Sequence, residues 1–181
     1  ITYGHYETWT KSGLAGGLQY LTDHRKDLRK DLKEVFPEFS SALVFLFEYA
    51  SEKKRLQKID PPIKIASYVT GFDGMDYHHW IREKLDIISL KLSEEISGLK
   101  TFYSIDAQPV LERDLAYRAG LGWFGKNSML ISKKHGSYFI IGTLLLNQKL
   151  INTVYNYKPD LLIFGHADLI KNNTLSYLKI G

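Results

Sequence analysis

Apolar and polar positions follow two rhythms along this chain. Ser41 to Tyr49 (S-A-L-V-F-L-F-E-Y) is nearly continuous apolar and β-prone, as a central strand covered on both faces would be. Thr101 to Ile105 alternates like a strand, and Met129 to Ser132 and Ser137 to Leu146 are β-like, with K-K-H-G (Lys133 to Gly136) between the last two as a hairpin loop. Ile63 to Val69 alternates too, and reads as a further strand or extended segment. The helical rhythm runs from about Tyr77 to Ser97, where Ile81, Leu85, Ile88, Leu92 and Ile96 recur at helical spacing behind Asp76, which is placed as an N-cap. Leu111, Leu115 and Ala119 share one face of a shorter helical segment, with Glu112, Arg113, Asp114 and Arg118 on the others. Tyr6 to Leu21 predicts a helix, a Gly-rich turn and a second short helix, and the charge run Asp23 to Glu34 predicts a solvated helix. These patterns predict an α/β fold. Its mixed sheet is built from Ala42 to Glu48, Thr101 to Ile105, Met129 to Ser132 and Ser137 to Leu146, with one face of the long helix packed on it.

Composition narrows the class. The 181 residues are 44% hydrophobic and 24% charged, the profile of one globular domain. No apolar run approaches a membrane span, and the N-terminus lacks a basic stretch followed by an apolar one, so neither a membrane partner nor a secretory signal is expected. A formal charge of +4 permits an anionic partner such as RNA without demanding one. The chain contains no cysteine. Disulfides are therefore excluded, which fits a cytoplasmic location, and ordinary cysteine ligation of an iron–sulfur cluster by these residues is excluded too. Nothing in the composition sets an oligomeric state.

Candidate chemistry concentrates between Ser104 and Ser132 (S-I-D-A-Q-P-V-L-E-R-D-L-A-Y-R-A-G-L-G-W-F-G-K-N-S-M-L-I-S). Asp106 falls at a strand end, where sites are often built. From these residues alone the turn-capping reading is the favoured one, with Pro109 three residues on. Gly120, Gly122 and Gly125 punctuate a loop whose backbone can approach something closely. G-L-G-W-F-G-K-N is near a phosphate-binding loop, but Asn127 stands where Ser or Thr belongs, and the loop follows a helix and precedes a strand instead of the reverse. Trp123 divides evenly between core packing and the site. Adjacent His78 and His79 diverge by about 100° on a helix, so no metal ligation is expected of them. Asp76-Tyr77-His78 opens like the D-x-H-x-x-G signature of cobalamin-binding Rossmann domains, but the residue where Gly is needed is Ile81.

D-A-Q-P-V-L-E-R-D-L-A-Y-R-A-G-L-G-W-F-G-K-N-S resembles the most distinctive block of the epoxyqueuosine reductases, cobalamin- and iron–sulfur-dependent enzymes of tRNA modification related to the reductive dehalogenases. Weaker similarity extends it over roughly Trp9 to Leu150. The resemblance implies a nitroreductase-like cobalamin-binding domain over residues 1–150, and residues 151–181 in place of the family's ferredoxin-like module. Within the tail, the apolar run Leu161 to Phe164 reads as a strand or a short docked helix. The implied function is cobalamin-dependent reduction of epoxyqueuosine to queuosine in tRNA, with a tRNA anticodon stem-loop as partner and electrons from a donor outside the chain. The alternative is a non-catalytic cobalamin- or ligand-binding module of the same fold. By this resemblance Asp106 is the proton donor. Arg29, Tyr77, His78, Asp106, Gly125, Lys126, Asn127 and Ser128 contact the cofactor, no protein His ligates cobalt, and Glu112 and Arg113 support the site from behind. To donate a proton near neutral pH, Asp106 needs burial or a neighbouring like charge.

Overall fold

The structure is a computed structural model that describes residues 2–50 and 65–151 together with residues 162–163 and 179–180. Helix α1 (Thr2–Lys11) ends in a Gly-rich turn with Gly13 and Gly16 at positive φ, followed by a 3-10 turn at Gln19–Leu21. The solvated helix expected from Asp23 to Glu34 is instead broken into two single turns, α2 (Arg25–Leu28) and α3 (Leu32–Val35). One of its own aspartates breaks it. Asp23 at its start binds both the backbone and the guanidinium of Arg25, while the break falls at Asp31, which accepts the Lys33 amide as an N-cap and so starts a new turn.

Strand β1 (Ser41–Glu48) is buried at every position but Glu48, as a two-sided core strand must be. Ser67–Thr70 forms a 3-10 turn, which corrects the extended reading of that part of the Ile63 to Val69 run; residues 63 and 64 lie outside the described residues. The turn is closed by the Val69 amide on the Ala66 carbonyl and the Thr70 hydroxyl on the Ser67 carbonyl.

Helix α4 (Tyr77–Glu95) follows Asp76, whose side chain accepts the His78 amide. It buries Ile81, Leu85, Ile88 and Leu92 against the sheet. Each such side chain contributes about 1.5–3 kcal/mol of burial free energy. Gly98, at φ +72°, turns the chain back into β2 (Thr101–Ser104), and a loop then leads to α5 (Glu112–Arg118).

The expected mixed sheet is present, with one strand misassigned. The central sheet runs β2, β5 (Phe139–Leu146), β1 and β7 (Leu162–Ile163); β5 is antiparallel to both its neighbours and β7 is parallel to β1. Within the Leu161 to Phe164 run, the described residues Leu162–Ile163 form a strand; residues 161 and 164 lie outside the described residues. Met129 to Ser132 is not part of this sheet. Its strand, β4 (Leu130–Ile131), pairs with β3 (Trp123–Phe124) as a separate hairpin. The K-K-H-G loop closes on itself through a Ser132–Gly136 bridge and does not join two paired strands. Near the end of the described chain, β6 (Leu150–Ile151) pairs with β8 (Lys179–Ile180). One face of the central sheet packs on α4 around Phe45, Phe47 and Leu144, and the other packs on α5 around Val44, Leu46 and Ile141. The ends of β2, α4 and α5 meet where these layers close.

Candidate functional site

The start of α4 supplies the first part of the site. Asp76 Oδ1 accepts the His78 amide at 2.8 Å and lies 2.8 Å from His78 Nδ1, and these two bonds, the backbone one first, hold the Asp76 carboxyl below its usual range. The Tyr77 ring stacks on the His78 ring at 3.9 Å and meets Tyr68 edge-on at 5.7 Å. Tyr68 in turn meets Tyr49, and Tyr49 meets Tyr138, so the phenol of Tyr77 is the outer end of an aromatic row.

The end of β2 supplies the second part. Beyond Ser104 the chain turns sharply, with the Ile105 amide on Gln108 Oε1 (3.0 Å) and the Ala107 amide on the Ile105 carbonyl (2.6 Å). Asp106 takes φ +60°, a left-handed conformation that aspartate tolerates better than most residues. Its carboxylate is exposed, and Oδ2 accepts the Tyr77 hydroxyl at 3.1 Å. Burial and then the Asp106 charge push the Tyr77 phenol pKa upward.

The third part is the first turn of α5. Glu112 Oε1 accepts the Ser104 hydroxyl at 2.5 Å and the Asp106 amide at 2.8 Å. Glu112 is half-buried and carries its carboxyl inward. Desolvation pushes that carboxyl up to about 7, against the hydrogen bonds from Ser104 and Asp106 and the pull of Arg113, while the Asp106 charge adds to the rise. Of the two conditions set for Asp106, burial or a neighbouring like charge, burial is not met: Asp106 lies exposed, and the desolvated carboxyl is that of Glu112. From the face of α5 beside Leu111 and Leu115, Glu112 reaches back under the loop to Ser104 and Asp106.

Next along α5, Arg113 donates to the Ser128 carbonyl at 2.7 Å and so ties the β3–β4 hairpin to the same helical turn. The hairpin tip is closed by the Gly125 amide on the Met129 carbonyl (2.9 Å) and the Ser128 amide on the Gly125 carbonyl (3.0 Å). A Cβ on Gly125 would lie 2.6 Å from Ile131 Cδ1, and one on Gly122 would lie 2.2 Å from the Ile131 carbonyl oxygen. The close approach that these glycines permit is thus to their own hairpin. The loop does not open a helix, which agrees with the reading against a phosphate loop. Asn127 accepts the Met129 amide with its side-chain oxygen, and Lys126, Asn127 and Ser128 are exposed. Trp123 is 49% exposed, so of its two readings core packing is excluded. Phe124, Met129 and Tyr117 are exposed beside it in sequence or in space, Tyr117 and Phe124 with ring centroids 5.5 Å apart.

Arg29 stands apart from these contacts. Its guanidinium donates to the carbonyls of Tyr20 and Arg25 and lies 5.7 Å from the Tyr6 ring centre, bracing the N-terminal segment. Tyr77 and Asp106 touch directly, His78 joins through Tyr77, and Gly125 to Ser128 connect through consecutive Arg113 and Glu112. Ser104, Gln108 and Tyr68 were not singled out from the sequence. For Ser104 and Gln108 the available signal was proximity to Asp106 in a turn. Tyr68 carried none, because its segment read as extended.

Three comparisons bear on this arrangement. The family profile described as "Epoxyqueuosine reductase QueG, DUF1730" matches residues 29–107. The epoxyqueuosine reductase of Cyclobacterium marinum is 34% identical over 145 residues, covering 80% of this chain and 45% of that protein. That of Pseudomonas aeruginosa is 32% identical over 150 residues, covering 81% of this chain and 40% of that protein. The chain thus spans less than half the length of these relatives. The solved structure of epoxyqueuosine reductase from Streptococcus thermophilus shares the fold, with a TM-score of 0.58 at 19% identity over 91% of this chain and 43% of that one. Among the described residues, no helix is long and apolar enough to cross a membrane.

Proposed function

Because the chain belongs to the epoxyqueuosine reductase family, we propose that it is the cobalamin-binding part of such an enzyme, reducing epoxyqueuosine to queuosine in tRNA with electrons from outside these residues. Residues 1–150 form the nitroreductase-like cobalamin-binding domain in this reading, residues 151–181 stand in place of the ferredoxin-like module, and the protein works in the cytoplasm. The observation that carries it is the aimed carboxylate of Asp106: at a strand end, open to solvent, and oriented by Tyr77 on one side and Glu112 on the other.

The residues present suit a corrin. Such a ligand offers a broad apolar ring edged with amide groups and bearing one phosphate. The stacked Tyr77 and His78 rings provide a flat apolar surface. The exposed hairpin tip offers the Lys126 ammonium, the Asn127 side-chain amide nitrogen and the Ser128 hydroxyl as donors. Arg29 would have to leave its N-terminal partners to take part.

Bound cobalamin supplies the reducing centre. Opening the epoxide to an alkene consumes two electrons and two protons and releases the oxygen as water. In this reading Asp106 delivers a proton to that oxygen, and the Tyr77 hydroxyl, which donates to its carboxylate, keeps the carboxyl oriented. A ligand laid over Asp106 would take its carboxyl out of water. A second reading is a binding module of the same fold that does not turn over.

The test is turnover of an epoxyqueuosine-containing anticodon stem-loop with cobalamin and a chemical reductant. Asp106→Asn should leave cobalamin affinity nearly unchanged and lower the rate by about a hundred- to ten-thousand-fold. A variant within about twofold of wild type, well below that range, makes Asp106 a turn residue only. If wild type and variant both bind cobalamin and neither turns over, the binding-module reading stands.

A further inference from the structure

We propose that Glu112 is the positioning residue of Asp106, holding it in its left-handed conformation by gripping its backbone amide, so that the carboxyl points at Tyr77. This rests on the reading of Asp106 as the acting carboxyl.

The geometry has three parts. One oxygen, Glu112 Oε1, takes both the Ser104 hydroxyl and the Asp106 amide, so the last residue of β2 and the site residue are fastened to the same atom. Asp106 is at φ +60°, where its amide and its side chain point to opposite sides of the turn; the amide goes in to Glu112 and the carboxylate goes out to Tyr77. The second clasp, Gln108 on the Ile105 amide, fixes the preceding peptide but leaves Asp106 itself to Glu112. Among the described residues, the acceptor of the Asp106 amide is Glu112.

The grip depends on charge. An ionised carboxylate accepts hydrogen bonds more strongly than a neutral carboxyl. The charged groups acting on Glu112 are Asp106 across the loop and Arg113 beside it, the latter already engaged on Ser128, and Ser104 is its neutral partner. Burial brings its titration to about 7, so the hold on Asp106 tightens as pH rises through neutrality.

The Asp106 amide reads this directly, without cobalamin or substrate. Proton–nitrogen correlation spectra of the full 181-residue chain, recorded from pH 5 to 9, should show the Asp106 amide proton moving downfield with a midpoint near 7. In Glu112→Gln, which keeps an acceptor oxygen but cannot ionise, the bond should persist and the titration vanish. In Glu112→Ala, exchange of that amide should quicken by roughly tenfold or more while the β1 amides stay protected, showing that the sheet is intact. An Asp106 amide that still titrates near 7 in Glu112→Gln overturns the proposal. So does one that exchanges no faster in Glu112→Ala with β1 intact. If Glu112→Ala does not fold, the wild-type and Glu112→Gln titrations decide alone. Failure here leaves the cobalamin reading untouched, and failure to bind cobalamin leaves these spectra unchanged.

Discussion

The hydroxyl of Tyr77, at the first position of the long helix, donates to Asp106 at the end of β2 across 3.1 Å. The contact joins two stretches that sequence treats separately, a helix start and a strand end. It also gives each residue a measurable effect on the other.

Burial first, and then the charge and hydrogen bond of Asp106, hold the Tyr77 phenol above its ordinary value of 10.0. Asp106→Asn removes the charge but not the burial. The Tyr77 pKa should therefore fall part of the way and stay above 10.0. Tyrosine ring-carbon chemical shifts followed through alkaline pH measure this; an unchanged Tyr77 curve contradicts the contact.

Glu112 should make stability depend on pH. Its folded value, about 7, lies above its ordinary value of 4.5, so the native state binds the proton more tightly than the unfolded chain. Its contribution is most favourable in acid and is lost as pH rises from about 4.5 through about 7. Glu112→Gln lacks this term. Between pH 5 and pH 8 the variant should gain on wild type by of order 1–3 kcal/mol in urea unfolding. A difference that stays constant with pH would rule out a buried, titrating Glu112.

Gly142 lies in the middle of β5, opposite Phe45. A Cβ there would come within 2.7 Å of the Phe47 ring and 2.9 Å of Ile81 Cγ2, both held in the packed interface between sheet and α4. Gly142→Ala should cost about 1–3 kcal/mol through overpacking. A thermal midpoint equal to that of wild type would mean that this interface is looser than its contacts imply.

What sequence could reveal followed from how strongly each position was constrained by burial. Ile81, Leu85, Ile88 and Leu92 are all in the core, so the α4 pattern was legible, as was the unbroken apolar run of β1. Alternation shows that a segment is a strand but not which partner it takes. Leu130–Ile131 therefore looked like a member of the main sheet when it pairs with Trp123–Phe124. Glu112 was legible as a supporting residue through the family resemblance, but its inward carboxyl was not. A polar residue on a helix reads as outward, and only the turn after Ser104 brings two donors over its carboxyl. The break at Asp31 and the 3-10 turn at Ser67–Thr70 depend on local side-chain and backbone bonds that override the helical and extended patterns around them.

The central claim is that this chain holds cobalamin beside Asp106, and the most direct test is an absorbance titration of the purified 181-residue protein with cob(II)alamin. The account predicts a saturable spectral change at one cobalamin per chain. It should be retained in Asp106→Asn and weakened when Lys126 and Asn127 are both changed to Ala. Spectra identical to free cob(II)alamin at every protein concentration, from a chain whose β1 amides remain protected, would contradict it.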